Sequence, residues 1–171
     1  MTTMSAAKHA SPRQQLLATL ERETATTQKV LNAYPLDQSE LRPHPRAKSA
    51  RELAWMFTLE QKLGTLAIRD QLDLSGGFPP APESMADVVA AFDAGRHEVL
   101  ETLRTASDQD LEGTVRFFTG PGQMGDVPKV DFLWFILHDQ IHHRGQFSVY
   151  LRMSGGKVPS IYGPSADEPW V

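Results

Sequence analysis

Cysteine is absent from all 171 residues. That excludes disulfides, thiolate metal centres and a protein-borne thiol nucleophile together. Any thiol chemistry here must take its thiol from a substrate. Long apolar runs are missing as well: none approaches the roughly 18 residues of a membrane span, and the N-terminus lacks the apolar core of a secretory signal. A cytoplasmic protein that does not engage membranes is the expectation. Positive charge is scarce, with 17 Lys and Arg against 21 Asp and Glu, a formal net charge of −4. Bulk attraction to nucleic acid or to an anionic lipid surface is not expected from that balance, and no basic helix stands out. A nucleophile elbow is also lacking. The TGPG stretch from Thr119 to Gly122 lacks the Lys and the strand–helix context of a phosphate loop and reads as a turn.

What is present is an ordinary globular composition, 40% hydrophobic and 22% charged, at the length of one domain. Residues 1–10 read as a flexible tail and 11–171 as a single helical domain. Helical periodicity predicts a first helix from Pro12 to Ala33, with Ser11 as its cap and an inner stripe of Leu16, Leu17, Leu20, Thr27, Val30 and Leu31. A second helix follows the proline-stiffened RPHPRAKS loop, capped by Ser49 with Glu52 closing a capping box. Its apolar face is Ala50, Leu53, Met56, Phe57, Leu63 and Ala67. After the SGGFPPAP break, Ser84 and Asp87 start a third helix with a stripe from Met85 to Leu103. Residues Gly113 to Lys129 read as a long loop, at most a small hairpin and not a sheet. Asp131 is the expected cap of a fourth helix that stops at Gly155-Gly156. An irregular tail then packs back through Ile161, Tyr162 and Trp170. The expected fold is all-α, a four-helix bundle.

The chemistry concentrates on the fourth helix. At about 100° per residue, Phe132, Phe135, Ile136, Val149, Tyr150 and Met153 share one side, and Asp139, His143 and Gln146 fall among them. His142 lies on the edge and His138 further round. On the second helix Glu60 interrupts the apolar face between Phe57 and Gly64. Buried carboxylates need a partner or a metal, and bundles build metal sites from polar side chains on facing helices. A histidine with carboxylates suits Zn²⁺, Ni²⁺, Mn²⁺ or Fe²⁺. Asp139 could equally pair with Arg144 or His143 without metal, and Glu60 could orient the His143 ring by a hydrogen bond. Arg144 and Gln146 read as structural, and His44 as a loop packing residue.

The segments HDQIHHRGQFSVYLR, RPHPRAKSARELAW and VPSIYGPSADE, with the sharp His143-Arg144-Gly145-Gln146 run, resemble the DinB/YfiT family of bacterial proteins from Leu16 onward. The resemblance implies a four-helix bundle, often a homodimer, with a divalent metal on three side chains. Some relatives are thiol-dependent transferases or maleylpyruvate isomerases that use a bacterial thiol. The family's fourth-helix pair falls on Asp139 and His143. Its second-helix histidine falls on Met56, a thioether poorly suited to such ions. Either Glu60 supplies the missing ligand or the pair His138 and His142 binds instead. In the enzyme reading, Asp139 and Glu60 handle protons while a small-molecule thiol attacks an electrophile. In the alternative, the chain is a non-catalytic, stress-related binding or dimeric interaction protein whose site has decayed at Met56.

Overall fold

The computed structural model describes residues 10–171, so the tail expectation for residues 1–9 lies outside the described residues. Four helices are present: α1 (Pro12–Asn32), α2 (Ala50–Ile68), α3 (Met85–Thr105) and α4 (Lys129–Met153). Two strands, β1 (Thr114–Gly120) and β2 (Gln123–Pro128), precede α4. α2 packs on α3 and α4, and α1 on the same two, so α1 and α2 stand diagonally across the bundle.

Local chemistry explains the helix starts. Ser11 and Ser49 each accept a hydrogen bond from the third helical residue, whose own side chain (Gln14 or Glu52) returns one to the cap backbone. These reciprocal bonds satisfy amides that the first helical turn cannot. Ser84 caps α3 through Asp87 N–H. α4 departs from expectation, beginning at Lys129 with Pro128 before it and Asp131 inside the first turn. The cause is the buried Lys129, whose Nζ donates to the Asp110 carbonyl at 2.7 Å and pairs with Asp70 at 2.8 Å. That anchor lets β2 run directly into the helix.

The segment expected to be a loop, or at most a small hairpin, is that hairpin, a two-stranded antiparallel sheet, so the fold is a helical bundle with a small sheet and not purely α. Val115 pairs with Val127 and Phe117 with Gly125, and a bulge between Phe118 and Gly120 leads into the Pro121-Gly122 turn. Gly122 sits at φ 67°, a conformation that favours glycine. Alternation decides the outcome: Val115 is buried and Phe117 packs edge-on against Phe132 at 4.8 Å, while Arg116 and Phe118 face outward.

The apolar core divides in two. One half gathers Val30, Leu53, Phe57, Phe92 and Phe147; the other gathers Leu16, Leu103, Phe132, Leu133 and Leu137. Between them, at mid-height on three helices, lie the buried polar residues Glu23 and Thr27 of α1, Glu60 and Gln61 of α2, and Gln140 and Arg144 of α4. This polar layer is where the site forms. Among the described residues no helix is long and apolar enough to cross a membrane.

Candidate metal centre

The buried face of α4 is rotated from the one expected. Phe135, Val149 and Met153 are about half exposed, and the inner stripe is Phe132, Leu133, Ile136, Leu137, Gln140, Arg144, Phe147 and Tyr150. Apolar residues alone mislead here because two of the inward positions, Gln140 and Arg144, are polar. Their burial is made tolerable by partners and by the polar layer.

Arg144 sets the rotation. Its guanidinium, 1% exposed, donates to Glu23 Oε2 at 2.7 Å, to the Glu23 carbonyl at 2.9 Å and to Thr27 Oγ1 at 3.3 Å. The Tyr162 hydroxyl accepts from Arg144 and donates to Glu23 at 2.6 Å, which ties the C-terminal tail to α1 and α4. Burial pushes Glu23 up, but Tyr162 and Arg144 outweigh it and hold the carboxyl below its ordinary 4.5. With Arg144 fixed against α1, the preceding residue turns toward α2.

That residue is His143. Its Nδ1 lies 2.6 Å from Glu60 Oε1 and 3.9 Å from Asp139 Oδ1. Exposure grades outward, from 4% for the Glu60 side chain through 15% for His143 to 37% for Asp139, so the group opens to solvent at its aspartate. Burial, the largest influence, pushes Glu60 up to about 7 against the downward pull of the His143 hydrogen bond. The same bond raises His143 above its ordinary 6.5.

One potential ligand atom each from Glu60, Asp139 and His143 falls within 4.8 Å of the others, so these residues could hold a metal ion. Tetrahedral coordination with bonds of about 2.0–2.2 Å sets ligand atoms roughly 3.3–3.5 Å apart. The separations of His143 Nδ1 from Glu60 Oε1 and Asp139 Oδ1, 2.6 and 3.9 Å, lie on either side of that range. Two carboxylates and a neutral imidazole also match a divalent charge.

The other expected candidates stand apart. His138 and His142 are exposed; His138 lies beside Trp134, and His142 Nε2 hydrogen-bonds Gln146 at 2.7 Å. Gln146 is accordingly on the surface, not at the middle of the inner face. Asp139 does not pair with Arg144, which Glu23 occupies. Met56 is half-buried one turn before Glu60. His44 is exposed, its ring accepting from the Arg46 amide. In the tail, Ile161 packs on the core and Tyr162 reaches the polar layer, whereas Trp170 is 65% exposed and bonds only Ser160. Glu23, Gln61 and Gln140 were not anticipated. Their signal was spacing, since Glu23 continues the Leu16, Leu20, Thr27 stripe and Gln140 that of Ile136, Leu137 and Phe147.

A helical bundle with a histidine–carboxylate cluster at mid-height is the class that fold and site define. The chain belongs to the DinB family, whose sequence profile matches residues 4–170. It is 27% identical over 157 residues to the uncharacterized protein YrdA of Bacillus subtilis (strain 168), covering 89% of each chain. A crystal structure of a DinB-like protein from Bacillus cereus ATCC 10987 is similar with a TM-score of 0.68 at 25% identity, over 86% of this chain and 95% of that one. The fold is shared with a DinB-like protein, YjoA, from Bacillus subtilis, at TM-score 0.67 and 16% identity, over 85% and 95% of the two chains.

Proposed function

We propose that Glu60, Asp139 and His143 bind a divalent cation, and that the protein is a metal-dependent enzyme joining a low-molecular-weight thiol to an electrophile. The observation that carries the cation is the convergence of one imidazole and two carboxylates from α2 and α4 in a half-buried, solvent-connected group. Such a donor set suits Mn²⁺, Fe²⁺, Zn²⁺ or Ni²⁺. The thiol half of the reading rests on family resemblance, and the lack of cysteine is compatible with it because the thiol would be the co-substrate.

When bound, the cation supplies charge that favours thiolate at neutral pH. The protein supplies the rest. Glu60, anchored in the core, holds the His143 ring in place through Nδ1 until a cation takes up the two groups. Asp139 faces solvent and accepts the proton leaving the thiol. The sulfur lone pair then forms the new S–C bond, and the departing group leaves with its electron pair and takes the proton back from Asp139.

A second reading is favoured by one observation. The 2.6 Å contact between His143 Nδ1 and Glu60 Oε1 already pairs the two groups with each other, and Met56 stands where the family resemblance places a histidine. In that reading the cluster fixes helix packing and binds no metal.

Metal content separates them. Plasma mass spectrometry on untagged protein incubated with each cation should give about one equivalent for wild type and under about a tenth for His143→Ala. Metal at background level in both would sink the enzyme reading. If metal binds, incubation with small thiols and an electrophile, followed by mass detection of the thioether, tests the chemistry.

A further inference from the structure

Beside Glu60, among the four helices, lies a cavity of about 20 Å³. All four helices contribute to its wall, among them Leu16 of α1, Gly64 of α2, Leu103 of α3 and Leu137 of α4. Most of the wall is apolar. Three residues are not: Glu60, Gln61 and Gln140 line it together and are at most 3% exposed.

Among the described residues, no group partners Glu60 Oε2, Gln61 Oε1, Gln61 Nε2 or Gln140 Oε1. The Gln140 side chain lies near enough to favour the charged form of Glu60, yet closes no hydrogen bond of good geometry on Oε2. Gln61 Oε1 lies against α3 beside Gly95, where an added Cβ would sit 2.6 Å away and the amide end would have to shift. Each of these three residues carries at least one unpartnered side-chain atom beside the same cavity wall. Buried donors and acceptors without partners are costly, far more so than immobilising a water that satisfies them. A water needs roughly 10–15 Å³ and two to four polar partners, and a wholly apolar cavity stays dry. This cavity meets the size and supplies the partners.

We propose that it binds one or two waters that bridge Glu60 Oε2 to the carboxamides of Gln61 and Gln140, and that these two glutamines are positioning residues for Glu60. The bridge fixes the carboxylate plane, and with it the direction in which Oε1 meets His143. Glu60 is thereby held from both sides, by His143 toward solvent and by hydrated amides toward the core. The inference deepens the metal-site reading and rests on it only where metal affinity is the readout.

The test uses wild type, Gln140→Met and Gln61→Met, each checked by thermal unfolding. A high-resolution crystal structure of the wild type is expected to show water within hydrogen-bond distance of Glu60 Oε2 and one carboxamide. In metal-free protein, the imidazole N–H shared with Glu60 should give a downfield proton resonance that moves or broadens in at least one folded variant. Affinity for Zn²⁺ or Mn²⁺, measured by competition with a chromophoric chelator, should weaken by about 10–100-fold in that variant. A dry cavity, or an unmoved resonance in both variants, overturns the proposal. If wild type takes up no metal at all, the metal-site reading fails by itself, and the crystallographic water and the resonance still decide this one.

Discussion

Glu23 and Arg144 bury opposite charges against each other at 2.7 Å, with both side chains at most 3% exposed. Removing one partner strands the other. Arg144→Met should therefore destabilise the protein by about 3–5 kcal/mol, read from urea unfolding at neutral pH. The same pair sets an acid limit. Because Glu23 is held below its ordinary 4.5, the folded state releases its proton more readily than the unfolded chain. Its stabilising contribution is complete above that value and is lost as pH falls through the folded one. Stability measured from pH 7 downward should fall more steeply in wild type than in Glu23→Gln, which starts lower and has no carboxyl to protonate there. Parallel curves would show that Glu23 is not a principal acid-sensing group.

Capping and alternation act at the scale of elements. Ser49 is fully buried, accepts from Glu52 N–H and receives the Glu52 side chain on its own amide. Ser49→Ala should cost about 0.5–2 kcal/mol in unfolding free energy, since one bond of the box is lost and the donor it served is left short. An effect below that range would mean water replaces the cap. α4 illustrates the opposite case, in which local pattern misleads. Its outer face carries Phe135, Val149 and Met153 while its inner face carries Gln140 and Arg144. A projection weighted by hydrophobicity turns the helix the wrong way. The hairpin was underread for another reason: its strands are short and its turn rich in glycine, so only the docking of Phe117 on Phe132 separates it from a loop.

Across the whole molecule, aromatic packing joins the helices above the polar layer. Phe57 is fully buried and meets Phe92 of α3 at 6.1 Å and Phe147 of α4 at 5.9 Å, both edge-on. Phe57→Ala should cost about 3–5 kcal/mol, measured by denaturant unfolding, because three helices share the cavity it leaves. The tail is tied more lightly. Tyr162→Phe removes the hydroxyl that bridges Arg144 and Glu23, and about 1–3 kcal/mol of stability should go with it. Faster proteolysis of the tail in that variant would place the loss there. By itself the sequence determined the four helices, the serine caps of the first three and the identity of Glu60, Asp139 and His143 as inward-leaning polar residues, because periodicity and capping are local. It could not choose among Glu60, the outer histidines and Met56, nor reveal Glu23, Gln61 and Gln140 as their neighbours. Those depend on how α4 is rotated between α1 and α2. The tertiary structure decided that rotation, because a buried guanidinium must find its carboxylate, and only the folded bundle brings residue 144 to residue 23.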